Sequence, residues 1–125
     1  IRVLDLQPSL SESRDDPIRG RLRVVHLTED PGFVALSYVW GRPSRSPRAV
    51  YCNDIPISVT KNCWDALWHL RDPILGRGRA RNTDGSITLW IDSICINQSD
   101  KTEKDSQIPL MNDIYSGARS VCVWL

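Results

Sequence analysis

The sequence predicts an α/β domain: a mostly parallel sheet flanked by helices, with an amino-terminal β extension and a hairpin. Three observations predict it. Two continuously apolar stretches, Phe33 to Trp40 and Ile87 to Ile91, suit strands covered on both faces. Helical spacing of apolar residues over Lys61 to Arg71, and again from Asp100 to about Gly117, alternates with them. The second of these helices joins the Ile87 strand to a last apolar run, Val121 to Leu125, and such a βαβ unit places its strands parallel with a right-handed crossover.

The remaining elements follow in order. Arg2 to Leu6 and Arg21 to Leu27 have the alternating or β-branched character of strands, and Pro8 to Asp16 between them reads as a loop. Glu29 to Gly32 is a turn. Ala49 to Cys52 and Ile55 to Ser58 flank Asn53-Asp54, two residues that tolerate the positive dihedrals of a tight hairpin. Thr60 is placed to cap the first helix, whose Cys63, Ala66, Leu67 and Leu70 face inward. Trp64 and Trp68, four apart on its flank, are expected to pack together. Asp72 to Ser86 is a long Gly- and Arg-rich connection. Asp100-x-x-Glu103 has the form of a reciprocal helix cap. Pro109 should bend that helix on its wet side while Leu110, Met111 and Ile114 stay buried.

Composition narrows the function. A chain of 125 residues suits one core. Its start at Ile1 and its end inside an apolar run read as a piece of a longer chain. Sixteen basic and fifteen acidic residues leave a net charge of +1, without the global footprint of a nucleic-acid binder. The basic stretch Arg71 to Arg81 reads as a solvated loop. No run approaches the roughly 20 apolar residues of a membrane span, and no amino-terminal signal is present, so a cytoplasmic protein is expected. Cys52, Cys63, Cys95 and Cys122 are spaced 11, 32 and 27 apart, matching neither zinc-ligand pairs nor a dense disulfide frame; four free thiols are expected.

Ligands of an open parallel sheet collect at the carboxyl ends of its strands. Two motifs fall there: Leu36-Ser37-Tyr38-Val39-Trp40-Gly41, and Trp90-Ile91-Asp92 running on to Cys95-Ile96-Asn97-Gln98. Helical angles put Glu103, Gln107, Leu110, Met111 and Ile114 on one face, so the inward stripe turns polar at the helix start. Glu103 and Gln107 then either brace neighbouring loops or face a polar cleft, because burying them unpaired is costly. Asp92 either accepts loop N–H groups or meets a ligand hydroxyl; Asn97 and Gln98 suit both tasks. Cys95 as a nucleophile would need a base, and neither His26 nor His69 has a sequence reason to stand beside it.

These motifs, with Glu103-Lys104, Gln107, Met111, Ile114-Tyr115, Ala118 and the closing Val123-Trp124-Leu125, resemble the first two signature blocks of the HET (heterokaryon incompatibility) domain family of filamentous fungi, in order and with suitable spacing. The resemblance covers Arg2 to Leu125 and takes residues 1–125 as a HET domain fragment lacking the carboxyl-terminal part of the domain, where a third block with Trp and Glu residues belongs. It implies a cell-death effector of fungal non-self recognition. HET domains are remotely similar to Toll/interleukin-receptor domains, which implies a flavodoxin-like sheet and NAD as a substrate rather than a resident cofactor. On the enzyme reading, Tyr38 and Trp40 line a nucleotide cleft with Ser37, Gly41, Gln98 and Gln107. Asp92 and Asn97 bind ribose hydroxyls, and Glu103, with Asp92, supplies the catalytic carboxylate. On the alternative reading the domain is a non-enzymatic module for self-association or for binding other signalling proteins. The same residues then brace loops, and Trp64 with Trp68 are exposed anchors.

Overall fold

The computed structural model describes residues 1–9, 16–39, 48–72 and 81–124. In chain order these form β1 (Arg2–Leu6), β2 (Arg19–Val24), β3 (Val34–Tyr38), β4 (Arg48–Cys52), β5 (Ile55–Val59), α1 (Lys61–Arg71), β6 (Ile87–Trp90), α2 (Asp92–Cys95), α3 (Lys101–Gln107), α4 (Met111–Gly117) and β7 (Ser120–Trp124). All seven strands join one sheet in the order β5-β4-β2-β1-β6-β3-β7.

The sheet is mixed, which corrects the expectation of a mostly parallel one. Strand β3 runs parallel to both β6 and β7, and β2 parallel to β4. Strand β1 is antiparallel to β2 and to β6, and β4 to β5. Connection length accounts for the β4-β5 pair: parallel neighbours need a crossover of a dozen residues or more, whereas a two-residue turn reverses the chain. Asn53 and Asp54, with φ of 53° and 65°, make such a turn between β4 and β5. Helices link β5 to β6 and β6 to β7, and β6 and β7 are parallel as expected, but β3 lies between them.

Local chemistry explains most boundaries. Thr60 accepts the Cys63 N–H at 3.3 Å and so caps α1. Asp100 accepts the Glu103 N–H at 3.1 Å, yet the cap is not reciprocal: the Asp100 N–H is already bonded to the Asn97 carbonyl, and the Glu103 carboxylate reaches elsewhere. At Pro109 the helix tightens into a 3-10 turn, Ile108–Leu110, and resumes as α4. Ile114 is fully buried, with Leu110 and Met111 packed against the core. Strand β2 ends sooner than its sequence suggests, and Leu27–Glu29 form a 3-10 turn closed by Asp30 in the left-handed region. The segment after Ile91 makes a single helical turn, α2, where a loop was expected.

The core gathers on the central strands. All of β6 is buried, as are Val3, Leu4, Leu6, Ala35 and Leu36. Each large apolar side chain so placed contributes about 1.5–3 kcal/mol through removal from water. Trp64 belongs to this core, only 8% exposed beneath the Arg48 guanidinium, so it is no exposed anchor. Arg71, expected in a solvated loop, is buried and donates to the Pro17 carbonyl at 2.9 Å. Arg81 clamps the Leu70, Asp72 and Gly85 carbonyls. Residues 73–80 of the basic stretch lie outside the described residues.

Candidate functional site

The parallel pairing of β3 with β6, Val34 opposite Leu89 and Ala35 opposite Trp90, brings Tyr38 and the start of α2 to one edge of the sheet. There the Tyr38 hydroxyl bonds the Ser93 hydroxyl at 2.6 Å, and Ser93 also meets the Cys63 thiol of α1 at 3.7 Å. Burial, and next the neighbouring Cys63 thiol, hold the Tyr38 phenol far above its ordinary range. Tyr38 is therefore a neutral hydrogen-bonding group at physiological pH. Burial likewise pushes the Cys63 thiol up.

A groove of about 700 Å³ opens beside this pair, a size suited to a small organic ligand. On one side it is lined by Tyr38, Ser93, Ile96, Asn97 and Gln98, and on the other by Leu22, Arg23 and Val24 of β2 with Ile57 to Thr60. Arg2 of β1 contributes a guanidinium. That guanidinium is held by the Glu103 carboxylate at 2.5 Å, and the same carboxylate oxygen accepts the Asn97 N–H. The Arg2 bond, and next the Asn97 N–H, hold the Glu103 carboxyl below its usual range.

The model of the family described as "Heterokaryon incompatibility protein (HET)" matches residues 33–125, which contain β3, β6, α2 and the helix carrying Glu103. The chain belongs to the HET family. It is 37% identical over 132 residues to "Heterokaryon incompatibility protein 6, OR allele" of Neurospora crassa, an alignment that covers 100% of this chain and 18% of that protein. The chain thus spans under a fifth of the length of the curated relative it matches. No solved structure matches.

Of the HET motif residues singled out in the sequence, Tyr38, Asn97 and Gln98 line the groove. Gln98 also braces it: its Nε2 donates to the Asp92 carbonyl at 2.8 Å and to the Ile96 carbonyl at 3.4 Å. Asn97 shapes the next turn by accepting the Ser99 N–H at 3.1 Å. Ser37 points to the other face of β3 and hydrogen-bonds Tyr115, whose ring stands edge-on to Trp90 at 5.6 Å. Asp92 opens α2 beside Ser93, half-buried; after burial, its charge is the next cause of the raised Tyr115 phenol, and it adds a smaller push to Tyr38. Glu103 stands behind Arg2, and neither Glu103 nor Asp92 is part of the groove lining, although Asp92 adjoins Ser93, which is. Gln107 is half-buried on α3, its Oε1 unpartnered among the described residues. Trp40 and Gly41 lie outside the described residues.

Cys95, the last residue of α2, is 1% exposed, and burial pushes its thiol up to about 12. A thiol so placed stays protonated and out of reach, so it is no nucleophile. All four cysteines are free and buried. Sequence reasoning missed Ser93, Arg2, Arg23, Asn53 and Thr60. Ser93 sat in plain view within the second motif; Arg2, Arg23 and Asn53 become its neighbours only through the β5-β4-β2-β1 part of the sheet, and Thr60 as the cap of α1.

Proposed function

We propose that this chain is the incompatibility module of a cytoplasmic fungal non-self recognition protein that triggers programmed cell death, and that its groove takes a nucleotide ligand. NAD is the candidate, and cleavage at the nicotinamide bond the candidate reaction. The observation that carries this reading is the groove at the carboxyl ends of β3 and β6, where an aromatic hydroxyl, two amides and two guanidiniums converge. Tyr38 packs against the base or nicotinamide ring, Asn97 and Ser93 meet ribose hydroxyls, and Arg2 and Arg23 receive phosphate oxygens. Asp92, adjoining Ser93 at the strand end, is the carboxylate assigned to a developing oxocarbenium charge. Glu103 acts as a positioning residue, holding Arg2 and the Asn97 N–H.

A second reading, self-association or docking with other signalling proteins, is favoured by Val121 and Val123. They are 43% and 63% exposed on β7, which pairs only with β3 among the described residues. One experiment separates the two: nicotinamide release and cell death measured with the full-length protein. On the enzyme reading Asp92→Asn and Tyr38→Ala lose nicotinamide release and killing while staying folded. If both retain full release, and Val121→Ser with Val123→Ser abolishes killing without touching NAD, the interaction reading holds instead.

A further inference from the structure

Arginine recurs at alternate positions of β2, so Arg19, Arg21 and Arg23 share one face of the strand. In the register Arg21 stands directly opposite Asp5, the natural cross-strand ion pair. Asp5 is taken by Arg23 instead, Nε to Oδ2 at 2.7 Å, and its other oxygen accepts the Thr88 hydroxyl at 2.6 Å. Arg19 and Arg21 are exposed, and neither makes an ion pair among the described residues. Arg19 lies over the Tyr51 ring, 5.5 Å from its centroid, which occupies the guanidinium face and leaves its N–H edge free.

Both arginines open on a cleft of about 510 Å³ whose remaining lining includes Gln7, Tyr51, Asn53 and Asp54. Asn53 is committed to β2, accepting the Leu22 N–H at 3.0 Å and donating to its carbonyl at 3.4 Å. The side chains of Gln7 and Asp54 have no such partner among the described residues. Two guanidinium edges some two strand positions apart, about 7 Å along the backbone, can converge on one tetrahedral dianion, whereas a planar carboxylate offers a single edge. Asp54 repels a second anionic group and accepts from a hydroxyl, so the rest of the ligand must donate.

We propose that this cleft, which meets the groove at Asn53, is a second ligand site for a small phosphate monoester bearing hydroxyl groups, of the sugar-phosphate class. Arg19 and Arg21 hold the phosphate; Asp54 and Gln7 read the hydroxyls. Calorimetric titration of the full-length protein with ribose 5-phosphate, inorganic phosphate and ribose tests it. Ribose 5-phosphate binds saturably and more tightly than inorganic phosphate, and ribose alone does not bind. Arg21→Gln weakens ribose 5-phosphate by about tenfold or more, as expected for loss of a charge-assisted fork. Asp54→Asn, which suits the positive φ at this turn residue and leaves the hairpin intact, removes the preference over inorganic phosphate. Absence of saturable binding by ribose 5-phosphate, equal affinity for the two phosphates, or binding that survives Arg19→Gln with Arg21→Gln would overturn the proposal.

Discussion

The two parts of the sheet are built by different rules, and the groove draws on both. In β6-β3-β7 the strands are parallel, β6 and β7 being joined through helices, and their motif residues gather at the carboxyl edge because parallel strands end together. In β5-β4-β2-β1 two antiparallel pairs, β5 with β4 and β2 with β1, meet through a short parallel pairing of β2 with β4, and the residues this part lends to the groove, Arg2, Leu22 to Val24 and Ile57 to Thr60, come from strand middles as well as ends. The all-parallel part supplies a chemistry-bearing edge; the mixed part supplies the opposite side and the charge. Each part can therefore be perturbed separately.

The largest effect is expected from the core of the parallel part. Trp90 is fully buried, whereas Ile55 on the outer strand β5 is 64% exposed. Trp90→Ala should lower unfolding free energy by about 3–5 kcal/mol and Ile55→Ala by less than about 0.5 kcal/mol in chemical denaturation. Equal losses would erase the distinction between a doubly covered strand and an edge.

Next comes the hydrogen bond at the strand ends. Tyr38→Phe removes the 2.6 Å bond to Ser93 and should destabilise by about 1 kcal/mol, leaving Ser93 with the Cys63 thiol. A variant as stable as the parent would show that the pair does not set the groove's edge.

Smaller still is the tie between the two parts, Arg2 of β1 with Glu103 of α3. Both side chains are partly exposed, so the pair is worth roughly 0.5–1 kcal/mol, and Arg2→Gln with Glu103→Gln should be non-additive. Its pH dependence has a defined sign. Because the folded Glu103 carboxyl is held below its unfolded value, the contribution is full above the ordinary glutamate pKa of about 4.3 and is lost as pH falls through the folded value. The stability gap between parent and Glu103→Gln should close over that acid window and stay constant at neutral pH. The least change is expected from thiol alkylation at pH 8: the native protein resists iodoacetamide at Cys52 and Cys95, whose thiols burial pushes up to about 11 and about 12, and the unfolded chain reacts at both.

How much of this was legible in the sequence follows the same division. The strands at Phe33 and Ile87 showed as continuous apolar runs, and the rule that motifs gather at the carboxyl ends of parallel strands put Tyr38, Asn97 and Gln98 at one edge, where they line the groove. The hairpin showed in Asn53-Asp54, yet its consequence for the sheet did not. Nothing local says that β1 inserts between β2 and β6, because strand order is decided by burial across the whole sheet. Arg2 and Arg23 were thus invisible as groove residues. Glu103 was recognised as a polar residue on an inward stripe, but its partner is 101 positions away in sequence, which no periodicity reveals.

The central claim is that a ligand groove is shared by the two parts, and blocking it from the β2 side tests that most directly. Val24 lines the groove and is 70% exposed, so Val24→Trp fills space without disturbing the core. NAD binding to the full-length protein, measured by calorimetry beside the thermal midpoint, should fall at least about tenfold in Val24→Trp with the midpoint unchanged. A folded Val24→Trp protein that binds NAD as the parent does would contradict the account.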